Sequence, residues 1–402
     1  MWLLRNLHFQ HPEEAVVHLK QTLVDDGGIA AMLPKMSHLN IHIAGVPCPA
    51  ANIIKQEMLA VGGDAAVARG TVSCRLPATD VILMGTKKQL TRLAGKISRQ
   101  PFGLPALAES LLKTIGTLEG ELAPLRTARR ELIFGKRTLL MGIVNVTPDS
   151  FSDGGKYFAT AHAIDHARRL VDDGADILDI GGESSRPGAM PVSAAEELNR
   201  IVPVIEALAG KITVPLSVDT TKAAVARAAV AAGAEIVNDI SAMRFDPEMA
   251  STVKNSGAAV VLMHMRGTPR DMQEGDLVYK SLWGEIIGFL AERIAAGVAA
   301  GIPQERMMID PGLGFGKTAE DNLKLINGLP ECRVLGRPIL MGPSRKSFLG
   351  RITGSGPEDR GEETAAAVTA CILRGAQVIR VHDVRTVKKV AAVADALRGS
   401  GS

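Results

Sequence analysis

The sequence predicts a (β/α)8 barrel of the TIM type, preceded by a smaller N-terminal α/β domain. Two observations carry that prediction. Eight short, continuously apolar runs alternate with longer Ala-rich amphipathic segments over about 260 residues. Nearly every run then stops abruptly at a polar or charged residue. Strands that are apolar throughout, rather than at alternate positions, belong to a parallel sheet covered by helices. An open doubly wound sheet is the competing topology, but eight units fit a closed barrel better.

In chain order, residues 1–117 read as a separate α/β unit. Glu13–Leu23 has helical spacing, His38–Ala44 alternates as a strand does, and Ala50–Val61 reads as a helix. Val67–Cys74 is a candidate strand and Asp80–Gly85 a clear one. Lys87–Ile97 is a basic helix and Leu104–Ile115 another. Lys87, Lys88, Arg92 and Lys96 read as a solvated helix face. No catalytic constellation stands out, and the unit receives no function. Residues 118–130 form the expected linker and 131–399 the barrel. Glu131–Asn145 reads as two apolar segments around Gly135-Lys136, a hairpin with a Gly-first turn.

The eight runs are Leu139–Asn145, Asp176–Gly181, Pro215–Asp219, Glu235–Asp239, Ala258–His264, Met307–Asp310, Pro338–Gly342 and Gln377–His382. Helical spacing lies between them, as in Ala161–Asp173, Ala194–Leu208, Lys222–Ala232, Ser281–Ala300 and Glu363–Gly375.

Bulk properties narrow the function. With 46% hydrophobic and 22% charged residues the chain can build a large core. A net charge of +3 and 3% aromatics argue against nucleic-acid and membrane surfaces. Cys48, Cys74, Cys332 and Cys371 are widely spaced and form no C-x-x-C, which fits reduced thiols better than disulfides or zinc. The first residues lack a long apolar core and a cleavage site, so a cytoplasmic protein is expected.

In such a barrel the active site lies at the C-terminal ends of the strands. Those ends deliver Asn145, the stretch Gly181–Gly188, Asp219-Thr220, Asn238-Asp239, Met263-His264-Met265, Asp310–Lys317, Gly342–Ser347 and Arg380 with His382-Asp383. One polar end is ordinary capping of the next helix; eight together are a site. Carboxylates at a barrel centre are costly unless donors meet them. Asp219, Asn238 and Asp310 therefore suit a flat ligand with several N–H groups on one edge, such as a 2-amino-4-oxo pyrimidine. Lys346 supplies an opposite donor, and Met263 and Phe315 can pack on the ring. Arg380, His382 and Asn145 form a different corner, suited to phosphate and, through the Asn, to Mg²⁺. Pro311–Thr318 has the look of a phosphate-binding loop, but Pro311 stands where its first Gly belongs. His264 is balanced between a structural and a site-facing role, Asp239 reads as a brace, and Glu183 as a hinge or salt-bridge partner.

The motifs NVTPDSFSDGG (145–155), GGESSRPGA (181–189), SVDT (217–220), ND (238–239), LMHM (262–265), DPGLGFGK (310–317), GPSRKS (342–347) and RVHDV (380–384) together resemble dihydropteroate synthase. The resemblance covers residues 135–397 and leaves out 1–117. It implies a TIM barrel that joins 6-hydroxymethyl-7,8-dihydropterin pyrophosphate to p-aminobenzoate, with Mg²⁺ as cofactor and a homodimer as assembly. By this resemblance Asp219, Asn238, Met263, Asp310, Phe315, Lys346 and Arg380 bind pterin, with Asp219, Lys346, Asp310 and Arg380 catalytic. Asn145, Arg380 and His382 take pyrophosphate, and Asn145 the metal. Ser185, Arg186, Pro187, Phe315 and Ser347 take p-aminobenzoate. The loops Val146–Lys156 and Glu183–Pro191 are expected to close over the reaction. Ser185 stands where the family often has Thr, which keeps the hydroxyl. A pterin-dependent methyltransferase and a non-catalytic pterin-binding protein are the rival readings. The first would not need the NVTPDSFSDGG loop, and the second predicts damage to that loop or the next.

Overall fold

The computed structural model describes residues 3–7, 9, 12–146, 155–184, 188, 190–273 and 277–399. The chain divides into an N-terminal unit ending at Gly120 and a barrel unit over Glu121–Arg398.

The N-terminal unit holds α1 (Pro12–Gln21), α2 (Asp26–Met36), β1 (His38–Pro47), α3 (Cys48–Ala60), β2 (Asp64–Val67), β3 (Ala78–Thr86), α4 (Lys87–Ile97) and α5 (Leu104–Glu119). Its strands form an antiparallel sheet in the order β1-β3-β2. Alternate residues of β3, Val81 and Leu83, point into a core with Ile54, Met58, Leu90, Leu93 and Ile97. The basic helix α4 opens on a capping box made by Thr86 and Gln89. Its Lys96 reaches Glu57 at 2.6 Å, so part of the basic face is paired at the surface.

Two local readings need correction. Residues 68–74 are a turn, not the continuation of a strand: Gly70 has φ +96, and Cys74 N donates to Thr71 O at 3.0 Å. Helix α2 was not legible, because it carries Gly27, Gly28 and Pro34. Asp25 starts it by accepting from Gly28 N at 2.7 Å.

The barrel unit begins with β4 (Leu125–Arg126) and β5 (Glu131–Leu132). The eight barrel strands follow: β6 (Leu139–Asn145), β7 (Ile177–Gly181), β8 (Leu216–Asp219), β9 (Ile236–Asp239), β10 (Ala259–Met263), β11 (Met307–Asp310), β12 (Leu340–Met341) and β13 (Val378–Val381). Each falls within one of the eight apolar runs. All barrel pairings are parallel, in the order β11-β10-β9-β8-β7-β6-β13-β12. A parallel bridge between Ile309 and Ile339, with Ile309 N donating to Pro338 O at 2.9 Å, joins the two ends.

Around the strands run α6 (Gly155–Asp173), α7 (Ala194–Leu208), α8 (Ala223–Ala232), α9 (Met249–Ser256), α10 (Leu282–Ala299), α11 (Ala319–Asn327), α12 (Ser347–Thr353), α13 (Gly361–Leu373) and α14 (Val384–Gly399). The period of two along each strand separates two cores. Leu178, Ile180, Val218, Val237, Val260, Leu262 and Ile379 face the helices. Met141, Ile177, Ile236, Ala259, Val261, Met308, Leu340 and Val378 fill the interior.

The expected hairpin around Gly135-Lys136 is absent. The hairpin is formed instead by β4, inside the expected linker, and β5, at the start of the expected barrel, with Thr127 closing the turn. Its Leu125 and Leu132, with Phe134, join the interior core at the N-terminal end of the strands. Glu235, at the start of β9, anchors it through Thr127 Oγ1 at 2.6 Å and Arg130 at 2.9 Å. The hairpin therefore plugs the barrel at the mouth away from the site. Leu125→Ala, at a fully buried position, is expected to cost about 2–5 kcal/mol. Urea unfolding of the barrel transition measures it, and a change below about 1 kcal/mol would show the plug to be dispensable.

Candidate active site

The interior face of the barrel changes chemistry one step before its C-terminal mouth. Two residues beyond Ile177, Ile236, Val261, Met308, Leu340 and Val378 stand Asp179, Asn238, Met263, Asp310, Gly342 and Arg380. A spacing of two keeps a side chain on the same face. The same alternation that fills the lower barrel with methyl groups thus sets a ring of polar groups above it. One cavity opens there, lined by Asp219, Asn238, Ile240, Met263, Asp310, Leu313, Phe315, Gly342, Lys346 and Arg380.

Arg380 organises the ring. Its Nε donates to Asp179 Oδ2 at 2.6 Å and its Nη2 to Asp219 Oδ2 at 2.7 Å. Asn238 Nδ2 donates to the same Asp179 oxygen at 2.9 Å. Asp179 is fully buried, and its other oxygen, Oδ1, has no hydrogen-bond partner. Burial pushes the Asp219 carboxyl up to about 7, against the opposing pull of Arg380. Burial also raises Asp310, whose Oδ1 accepts from Gly312 N at 2.7 Å. It brings Lys346 down to about 8, although Asp310 favours the charged form. Lys346 Nζ lies 4.2 Å from the centre of the Phe315 ring.

Local backbone geometry delivers these groups. Lys346 follows Arg345, which sits in the left-handed region at φ 55 at a cost on the order of 1–2 kcal/mol. Arg345 N donates to Thr364 Oγ1 and Arg345 O accepts from Arg360, which hold that conformation. Gly312, at φ +75, is required twice: a Cβ there would stand 2.0 Å from His264 O. Asp239 does brace the structure. Its Oδ1 accepts from Ser241 N and Oγ at 2.7 Å each, and its Oδ2 accepts from Met243 N at 2.8 Å. Glu183 is a salt-bridge partner, tied to Lys222 at 2.5 Å and to Val192 N at 3.0 Å.

The comparisons with known proteins agree with this geometry. The family model described as pterin binding enzyme matches residues 141–382. The chain belongs to the pterin binding enzyme family. A dihydropteroate synthase from Synechocystis is 46% identical over 279 residues, covering 68% of this chain and 95% of the relative. A probable bifunctional folylpolyglutamate synthase/dihydropteroate synthase from Halobacterium salinarum is 41% identical over 348 residues, 87% of this chain and 42% of the relative. The barrel unit alone cannot supply a match of that length, so the likeness reaches into the N-terminal unit. Among solved structures, Xanthomonas albilineans dihydropteroate synthase with 4-aminobenzoic acid superimposes with a TM-score of 0.64 at 46% identity. That match covers 69% of this chain and 99% of the other.

Within this pterin binding enzyme, Asp219, Asn238, Met263, Asp310, Phe315, Lys346 and Arg380 converge on the one cavity. Asn145 ends β6 with its side chain exposed and does not line it. His382 follows β13 and does not line the cavity; its Nδ1 is bonded to Ser344 Oγ at 2.9 Å. Ser347 is the first residue of α12 and is exposed. Ser185, Arg186 and Pro187 lie outside the described residues, as do 147–154 of the first loop. Arg380 meets two carboxylates, Asp179 and Asp219, through its Nε and Nη2. Asp179 was missed altogether. The available signal was a carboxylate inside the run DILDIG, two positions after an interior Ile and two before Gly181.

The raised Asp219 carboxyl has a consequence for stability. Its folded-state value lies above its unfolded value, so between about pH 4 and 7 the unfolded chain binds fewer protons. Stability from this group therefore falls as pH rises through that window. Relative to those of Asp219→Asn, the urea midpoints of the ligand-free protein should fall across it. Equal slopes would mean that Asp219 titrates normally.

Proposed function

We propose that this chain is a dihydropteroate synthase. It joins 6-hydroxymethyl-7,8-dihydropterin pyrophosphate to p-aminobenzoate, releasing 7,8-dihydropteroate and pyrophosphate. The observation that carries the reading is the ring of Asp219, Asn238, Asp310 and Lys346 around one cavity in a barrel of this family. Carboxylates and an amide oxygen accept from the N–H edge of a pterin. A lysine opposite them donates to its carbonyl and ring nitrogen. Such complementarity also favours ionised Asp219 and protonated Lys346, which burial alone disfavours.

The bond between the pterin methylene carbon and the pyrophosphate oxygen breaks first, and the electron pair leaves with the oxygen. The positive charge left on the pterin faces Asp219 and Asp310, fixed in place before the reaction begins. The neutral arylamine nitrogen then attacks the methylene, and the proton it loses passes to solvent. No enzyme nucleophile takes part. Arg380 keeps Asp219 in position, and His382, oriented by Ser344, serves the leaving pyrophosphate.

Mg²⁺ fits this scheme as a substrate-borne ion. Among the described residues no group of three or more His, Cys, Asp or Glu forms a metal cage. Exposed Asn145 offers one amide oxygen, and one protein oxygen completed by phosphate oxygens and water suits Mg²⁺. When bound, the ion supplies neutralising charge at the pyrophosphate. No described helix is long and apolar enough to cross a membrane. The reading includes a cytoplasmic homodimer, which sedimentation showing only monomers at working concentrations would remove.

The deciding assay is pyrophosphate release from the pterin pyrophosphate and Mg²⁺, with and without p-aminobenzoate. Turnover that requires p-aminobenzoate is expected, and its absence would sink the synthase reading in favour of a methyltransferase or a binding protein. Asp219→Asn should lose at least about a hundredfold in kcat/KM while keeping its fold, because one preorganised charge is worth roughly 3 kcal/mol or more. Pterin affinity should rise with pH through about 7 as Asp219 ionises, then fall through about 8 as Lys346 loses its proton. Lys346→Arg should abolish the alkaline limb; a limb left unchanged would exclude Lys346 as its source.

A further inference from the structure

The lysine of the Gly-rich loop after β11 is a buried titratable group that the proposed mechanism leaves unused. Lys317 is 3% exposed. Its Nζ donates to Phe315 O at 3.0 Å and to His264 O at 3.4 Å, and is bonded to His264 Nδ1 at 2.9 Å. All three partners are uncharged. Burial holds the His264 ring neutral, with its titration moved down to about 2, which leaves one ring nitrogen able to accept from an ammonium. The ring is itself fixed, edge-on to Phe289 with centroids 5.0 Å apart.

The rest of the loop is latched at neighbouring backbone groups. Gly314 N donates to Asn322 Oδ1, Gly314 O accepts from Gln273 Nε2, and Gly316 O accepts from Tyr279 OH. The carbonyl of Phe315 itself is held by Lys317. Phe315 is the aromatic residue of the cavity wall, and its ring lies beneath Lys346 Nζ. The pterin is met by Asp219, Asn238 and Asp310, with Lys346 opposite them, and the wall made by Phe315 is what remains for a second ring.

We propose that Lys317, acting with His264, is a positioning residue for p-aminobenzoate: it fixes the Phe315 backbone and so sets the wall against which the second ring packs. The proposal rests on the synthase reading. Its test is Lys317→Met in the full chain, which keeps the length of the side chain and removes the donors. KM for p-aminobenzoate should rise about tenfold, the effect of one or two lost buried hydrogen bonds. The kcat, and the Kd of a pterin lacking pyrophosphate measured by calorimetry, should stay within about twofold. An unchanged KM, or equal losses for both ligands, overturns the proposal. Should Lys317→Met not fold, Tyr279→Phe removes the latch on the next carbonyl, and about a threefold rise in the same KM alone is expected. A Tyr279→Phe enzyme with unaltered KM also counts against the proposal. Absence of p-aminobenzoate-dependent turnover in the unaltered chain overturns the synthase reading as well; turnover with an unmoved KM overturns this inference only.

Discussion

Arg380 is the constraint on which the site depends. A guanidinium inside a barrel is stable only if carboxylates and hydrogen-bond acceptors enclose it. Asp179 and Asp219 do this from β7 and β8, while Arg380 comes from β13. Three strands that are far apart in sequence must therefore keep their register for any of the three charges to be tolerated. The pairing of Gly181 with Asp219, and of Asp219 with Asn238, puts the β7–β9 ends at one level. The mutual dependence explains why the interior changes from apolar side chains to charges in a single step along β7, β11 and β13. A lone carboxylate at this depth would simply protonate; a ring of them around Arg380 and Lys346 stays close to ionisation.

The ring is nonetheless incomplete by itself. Asp179 Oδ1 lacks a partner, Ser217 Oγ beside it in the register is also unsatisfied, and Asp219 is held near 7. An interior with unsatisfied acceptors is poised for a ligand rich in N–H groups. Binding such a ligand does not have to displace a stable internal network. It supplies donors to carboxylates that burial has left short of them. The same preorganisation serves catalysis, since the acceptors already stand where positive charge develops.

Much of this was legible in the sequence because the signals are short-range. The eight strands announced themselves by unbroken apolar runs, and most site residues by their position at the point where a run stops. What could not be read depended on partners remote in sequence. Asp179 lies inside a run, and only barrel closure puts Arg380 and Asn238 against it. Gly135-Lys136 resembled a turn, yet Glu235, about a hundred residues away, selects the turn at Thr127–Arg130. Helix α2 contradicts its own local propensities and survives on its cap and on packing that includes Ile29. His264 could not be assigned from its place at a strand end, because the lysine that it meets is fifty-three residues further on.

The Gly-rich loop after β11 shows the same lesson in reverse. Its composition suggests a phosphate cradle, in which glycines let backbone amides surround an anion. Here the glycines answer to packing. Gly312 passes against the carbonyl of His264, and Gly314 N is already satisfied by Asn322. Gly316 would bring a Cβ to 2.7 Å from Arg266 Cβ. Lys317, which in a phosphate loop would reach outward, turns inward to the backbone that it follows. Close approach and positive φ are what glycine supplies in both settings; the ligand differs because the amides here are aimed at the protein. A motif is thus informative only together with the partners that its backbone groups find, and in this loop those partners build a rigid aromatic wall.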